Sequence, residues 1–105
     1  MSANIDQYLE MTLASCQKQP KGSLEYFRIP AIQLLLQSRE YKTGHWQRLR
    51  FVAQDLKRVN LAEIKLAQKY PDIFHPNVAI SRQEENRIFD EVIELIQKLH
   101  HPKTA

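Results

Sequence analysis

A stretch near the C-terminus carries the pattern that most restricts the fold, an apolar stripe with the period of an α-helix. Apolar residues between positions 88 and 99 recur at intervals of three and four, which predicts a helix with one broad buried face. Ser81 followed three residues later by Glu84 has the form of a capping box, so the helix is predicted over Arg82 to about His100. The stripe consists of Ile88, Phe89, Val92, Ile93, Leu95, Ile96 and Leu99.

Three earlier segments are also predicted to be helices, with a turn between the first two. A first helix is predicted over residues 4–18, and it is followed by a short turn over 24–28. Pro30 disfavours helical geometry at the residue before it, so a second helix is predicted over 30–39. Thr43 is a candidate N-cap for a third helix. The apolar face of that third helix is predicted to comprise Trp46, Leu49, Val52, Ala53, Leu56 and Val59.

The segment 44–70 is compatible with one helix or with two. Asn60 with Glu63 resembles a second capping box, which would start a separate helix at Leu61. The alternative is one long helix, bent near Asn60. The spacing of apolar residues fits both. In the single helix the stripe would continue through Ile64, Ala67 and Tyr70.

Glycine is scarce, with two residues in 105, whereas a β-rich domain normally needs more glycine in its turns. Together with the helical stripes and short connections, this predicts an all-α chain that forms a compact antiparallel bundle of four to five helices. The length predicts a single helical domain over residues 1–105.

Positive charge is concentrated in the middle of the chain. The net charge is +3, and residues 39–69 hold eight cations against three acids. On a helix, Arg50 and Lys57 would lie one above the other on a polar side, next to Arg58. This basic region is a candidate surface for the phosphates and base edges of a nucleic acid. Its candidate binding residues are Arg48, Arg50, Lys57, Arg58 and Lys65.

Phe51 is the unexpected residue of the third helix, because helical spacing places it among polar side chains rather than on the apolar face. An aromatic side chain in such a sector either packs beneath another segment or forms part of an interface. Phe51 is therefore added to the candidate macromolecule-binding residues.

The pattern offers no catalytic residue, metal site or cofactor site. His45 has no recognisable acid or nucleophile as a partner. His100 and His101 lack the further ligands that a zinc site needs. Two isolated glycines cannot build a phosphate-binding loop. Cys16, the only cysteine, lies on the apolar face of the first helix and is expected to be a core residue.

A single cysteine allows no internal disulfide and favours a reducing, cytoplasmic setting. The N-terminal residues lack the basic region of a signal peptide, and the longest apolar run is too short to span a bilayer, so no membrane association is expected. The expected function is that of a non-enzymatic helical module that binds another protein or its own copy. The alternative is a nucleic-acid-binding subunit that uses the basic 39–69 region. No small-molecule substrate is evident.

Overall fold

In a computed structural model of the chain, residues 3–38 and 46–100 are described, and they contain helices and turns with no strand. The predicted all-α fold is therefore confirmed, and four α-helices pack compactly. The helices are α1 (Ala3–Gln17), α2 (Ile29–Gln37), α3 (Trp46–Lys69) and α4 (Asn77–His100), with a 3-10 helix at Glu25–Arg28.

The predicted turn before α2 is this 3-10 helix. The Ser23 hydroxyl accepts the backbone N–H of Tyr26 at 3.3 Å and donates to the Pro20 carbonyl at 2.7 Å, so it stabilises the entry to the 3-10 helix. Pro30 lies in the first turn of α2. A proline is tolerated there because the first backbone N–H groups of a helix have no intrahelical acceptor.

The segment 46–69 is one helix, so the prediction of a helix start at Leu61 is wrong. Asn60 does not cap a helix: its side-chain amide donates to Glu85 and Asn86 of α4 at 3.1 and 3.0 Å. Because this amide has partners on another helix and no glycine or proline interrupts α3, the backbone continues unbroken. The helix ends before Pro71, which disfavours helical geometry at Tyr70.

The last helix begins at Asn77, five residues before the predicted start at Arg82. Pro76 supplies a preset backbone angle at the start, and the His75 ring nitrogen Nδ1 accepts the Asn77 N–H at 3.1 Å. Ser81 is inside the helix, where its hydroxyl donates to the carbonyl of Val78. The capping box predicted at Ser81 is therefore wrong.

The central element is α4, because α3 packs along one side of it while α2 and the 3-10 helix pack along another, with α1 against α2. Its predicted stripe is confirmed from Ile88 to Ile96, where Phe89 is the largest fully buried side chain. The other core residues are Ile5, Leu9, Cys16, Ile29, Ala31, Ile32, Leu35, Leu49 and Ala53.

The two long helices run antiparallel, since residues later in α3 contact residues earlier in α4. The contacting pairs are Lys57 with Asp90, Asn60 with Asn86, and Glu63 with Arg82.

Two residues assigned to the apolar face of α3 are not in the core. Val59 is 56% exposed and Tyr70 is 43% exposed. The reason is that α3 packs chiefly on α4 and touches α2 only slightly, so its remaining sides receive no covering helix from the described residues. In contrast, the predicted burial of Leu49, Ala53 and Ile64 is confirmed.

Several sequence predictions lie outside the described residues. These are the cap at Thr43, the end of the second helix beyond Ser38, and any role of His45 or His101. The side chains of Trp46, Leu99 and His100 are also outside the described part.

The contrast between two phenylalanines tests this fold. Phe89 is 1% exposed and Phe51 is 73% exposed. We expect Phe89→Ala to lower the free energy of unfolding by about 3–5 kcal/mol, because it leaves a cavity in the core. Phe51→Ala, the matched control, should change it by less than about 0.5 kcal/mol. Urea unfolding followed by circular dichroism measures both, and similar losses for the two variants would contradict the packing.

Candidate functional site

The side of α3 turned away from α4 carries a row of exposed apolar residues. With Phe51 as origin and about 100° per residue, Val59, Ala62, Leu66 and Tyr70 lie within an arc of about 100°. The buried residues of α3 centre near the opposite direction, about 180° from Phe51. We call these five residues, Phe51, Val59, Ala62, Leu66 and Tyr70, the outer face of α3. Tyr70 directly follows the last residue of α3, and its backbone N–H donates to the Leu66 carbonyl at 2.9 Å. Phe51 and Leu66 are 73% and 47% exposed.

The outer face runs along the helix: Val59, Ala62, Leu66 and Tyr70 follow one another at intervals of three and four, and the charged Asp55 separates them from Phe51. Phe51 and Tyr70 mark its ends, nineteen positions or about 28 Å apart at the helical rise. Isolated apolar side chains are normal on a protein surface, whereas a contiguous row is typical of an interaction site. Leu61 is also exposed but lies outside this arc.

The six predicted binding residues separate into two groups on α3. Arg48, Phe51, Arg58 and Lys65 are exposed, whereas Arg50 and Lys57 are half-buried. The Lys57 ammonium lies 2.6 Å from an Asp90 carboxylate oxygen of α4. Arg50 lines a surface recess with Glu94, Gln97 and Lys98, near the C-terminal end of α4. The predicted Arg50–Lys57 stripe therefore faces the polar edge of α4.

A second set of cations borders the outer face directly. Arg58, Lys65 and Lys69 lie within about 40° on the Phe51 side of the arc, at positions seven and four apart. All three are exposed. We call these three residues the cationic edge. The Lys69 ammonium also lies 5.5 Å from the centre of the Tyr70 ring, a cation–π contact that joins this edge to the outer face.

The acidic residues of α3 are both held in ion pairs. Asp55 lies on the arc and pairs with Arg58 one turn further on. Glu63 lies at the border of the outer face opposite the cationic edge, and Arg82 of α4 contacts it at 2.6 Å. One border of the outer face is therefore an acid–arginine pair, and the other has the cations Lys65 and Lys69 next to the Arg58–Asp55 pair.

A polar network fixes the rotation of α3 against α4. Asn60 donates to Glu85 and Asn86, and the Asn86 amide donates to the backbone carbonyl of Lys57 at 3.4 Å. Arg82 contacts the second Glu85 oxygen at 3.1 Å. Asn60, Glu85 and Asn86 are buried. Since buried polar groups are costly without partners, these bonds favour one alignment of the two helices.

Burial raises the pKa of Glu85 above its ordinary value, because the ionised carboxylate loses hydration. Nearby Glu63 acts in the same direction, whereas the charge of Arg82 and the hydrogen bonds from Asn60 and Arg82 act in the opposite one. The raised pKa has a structural cause within this network, so it gives no reason to assign Glu85 a catalytic role.

A half-open groove of about 390 Å³ lies between the start of α4 and the 3-10 helix with the beginning of α2. Its walls are mainly apolar, and Glu85 is at its polar end. Both oxygens of that carboxylate already accept hydrogen bonds, from Asn60 and Arg82. The groove is lined by Lys21, Tyr26, Phe27, Ile29, Pro30, Ser81, Arg82 and Glu85.

Cys16 is buried, as predicted, and burial raises the pKa of its thiol, which disfavours the reactive thiolate. Within residues 3–38 and 46–100, histidine, cysteine and acidic side chains form no group of three or more that could hold a metal ion. No helix in the described part of the chain has the length and apolar composition that crossing a membrane requires.

Comparison of the chain with protein-family models, with curated proteins and with solved structures gave no match. Its function is therefore inferred from its own geometry.

Sequence reasoning found Phe51 but missed the residues that accompany it. Val59 and Tyr70 were assigned to the core, and Leu66 was assigned to no face. One signal was present: Val52, Val59 and Leu66 recur every seven residues, and Ala53, Asn60 and Ala67 repeat this spacing one position later. The structure buries the second series, which contains the smaller and more polar residues.

Replacing Glu85 by glutamine tests the network. The folded-state pKa of Glu85 is raised, so the folded protein binds this proton more tightly than the unfolded chain does. Its contribution to stability is therefore lost as pH rises through the unfolded and then the folded pKa. Glu85→Gln removes this titration and keeps an acceptor for Asn60. Relative to wild type, the variant's free energy of unfolding should increase between about pH 4 and pH 7.

Urea unfolding at both pH values measures this difference. Glu94→Gln is the control, because this exposed carboxylate of the same helix stays hydrated in the folded protein. A Glu85→Gln variant that loses stability relative to wild type as pH rises would contradict the assignment.

Proposed function

We propose that this protein is a non-enzymatic binding module and that the outer face of α3 docks a partner protein. One observation carries the proposal: a row of apolar side chains, interrupted only by Asp55 between Phe51 and Val59, remains exposed on a helix whose opposite side is well packed. Covering such a row with a complementary surface is favourable by about 25 cal/mol for each Å² of apolar area removed from water.

The composition of the outer face supports a protein partner. Phe51 and Tyr70 are aromatic, and aromatic side chains are enriched among the residues that contribute most to protein–protein binding. Val59 and Leu66 supply aliphatic surface between them, and Ala62 is small enough to let a second backbone approach closely. Ordinary solvated helix faces are dominated by charged and polar residues instead.

Nucleic-acid binding is the second candidate, and the exposed cationic edge favours it. Fewer cations of α3 are available for phosphate than the sequence indicated, because Lys57 pairs with Asp90 and Arg58 pairs with Asp55. Binding to a phosphate backbone generally requires many cationic contacts. A nucleic acid would also leave the apolar row of α3 uncovered, whereas a protein partner covers it.

The decisive experiment is affinity capture from the native cell with paired variants, in parallel samples with and without nuclease. Phe51→Ser with Leu66→Ser removes two exposed side chains of the outer face. We expect the captured amount of each specific partner to fall at least about tenfold, because a loss of about 1.4 kcal/mol of binding free energy lowers the affinity about tenfold. Quantitative mass spectrometry of the captured proteins gives the measurement.

The matched control is Met11→Ser with Leu24→Ser, which removes two exposed apolar side chains from other elements. It should retain the partners that the outer-face variant loses. Equal capture by both variants would contradict the proposal. Loss of capture after nuclease treatment would instead support the nucleic-acid alternative. Light scattering with size-exclusion chromatography determines whether a second copy of the chain is among the partners.

A further inference from the structure

We propose that the partner segment is an amphipathic α-helix with acidic residues along one edge, which lies lengthwise on the outer face of α3. This inference rests on the proposed function and specifies the chemistry of the partner. The carrying observation is the juxtaposition of two features on one helix: the exposed apolar row, and the cationic edge of Arg58, Lys65 and Lys69 along one side of it.

The spacing of the apolar residues fits a helical partner. Val59 and Leu66 of the outer face lie seven residues apart, and Val52, seven residues before Val59, is half-buried and packs against the core. Seven-residue spacing is the repeat along which two helices pack at a shallow angle. Ala62 and Tyr70, three positions after Val59 and four after Leu66, complete the pattern by which a helix presents anchors to another. The row of about 28 Å corresponds to a partner helix of about 19 residues.

The cationic edge of the outer face indicates the charge of the partner. Arg58, Lys65 and Lys69 project along one edge over eleven positions, or about 16 Å. The two acidic residues of α3, Asp55 and Glu63, pair with Arg58 and Arg82, so among the described residues Lys65 and Lys69 are the cations of this edge without an ion pair. A partner helix with glutamate or aspartate opposite this edge would gain interhelical ion pairs, as flanking positions do in coiled coils.

A second copy of the chain does not supply this complementarity. In an antiparallel symmetric pair the same edges meet, so Lys65 and Lys69 would face the cations of the other copy. In a parallel pair they would face the border formed by Glu63 and Arg82, whose charges compensate each other. Like charges at an interface disfavour association, and a compensated pair attracts little.

The test uses two labelled peptides of about 21 residues, each with three heptads. Both have leucine at the a and d positions, and they differ only at e and g, where one has glutamate and the other lysine. Fluorescence anisotropy measures binding of each peptide to the full chain. We expect the glutamate peptide to bind at least about tenfold more tightly than the lysine peptide, and its affinity to fall at higher salt.

Charge reversal on the cationic edge tests the proposed contacts. Lys65→Glu with Lys69→Glu should weaken binding of the glutamate peptide at least about tenfold and strengthen binding of the lysine peptide. Lys18→Glu with Lys98→Glu is the matched control, because it changes the net charge equally at exposed sites away from the outer face. This control should change either affinity less than about twofold.

A third variant, Val59→Ser with Leu66→Ser, separates this inference from the proposed function. If both peptides bind equally and this variant abolishes their binding, the outer face docks helices without regard to charge. That result overturns the acidic partner and leaves the proposed function intact. Binding that none of the variants alters, or no binding of either peptide, overturns the inference, while affinity capture still decides the proposed function independently.

Two further probes address other classes of partner. The first probe is a lipid vesicle that contains phosphatidylserine. The second probe is a short DNA duplex. Binding of either probe through Lys65 and Lys69, with no preference for the glutamate peptide, would assign the cationic edge to lipid or nucleic acid and overturn the inference.

Discussion

The hydrogen bonds of Asn60 across the two long helices determine which side of α3 remains exposed. Its buried amide donates to Glu85 and Asn86, and Asn86 in turn donates to the backbone of α3. An unpaired buried amide costs about 1–3 kcal/mol. A rotation of α3 by one position, about 100°, would turn Val59 toward α4 and separate these partners. The network therefore favours the rotation that leaves Val59 and Leu66 exposed.

The same rotation distributes the charges of α3. Lys57 and Glu63 point toward α4, where Asp90 and Arg82 pair with them. The cations at 58, 65 and 69 remain on the solvent side, next to the apolar row. The positive charge of the middle segment is thus divided into a part that stabilises the contact between the long helices and a part that borders the outer face. Only the second part borders exposed apolar surface.

Local sequence signals predicted most of the helices, and they failed where side chains have distant partners. Asn60 with Glu63 and Ser81 with Glu84 both match a capping box. In the structure Glu63 binds Arg82, and Glu84 binds Arg28 at 2.8 Å, so these acids join separate elements. A capping box is a pattern of residue types over four positions. The same residue types serve equally well in tertiary hydrogen bonds, and the sequence does not distinguish the two uses.

The sequence predicted only part of the candidate site, again because some of its residues have partners that are distant in sequence. Phe51 was found because an aromatic residue in a polar sector is anomalous on any helix. Lys57 and Arg50 were expected on an open surface, but their neighbours on α4 are more than thirty positions away in sequence. Val59 was assigned to the core because it continues the apolar period, and period alone does not show which of two adjacent faces a neighbouring helix covers.

The sequence by itself determined the helical class, the stripe of α4 that forms the centre of the core, the burial of Cys16 and the anomaly at Phe51. These follow from local spacing, scarce glycine and the positions of proline, which act on neighbouring residues. Only the tertiary structure decided that α3 is one helix, which of its two seven-residue series is buried, and which cations stay exposed. Those outcomes depend on hydrogen bonds and ion pairs with α4, whose partners come together only when the two helices pack.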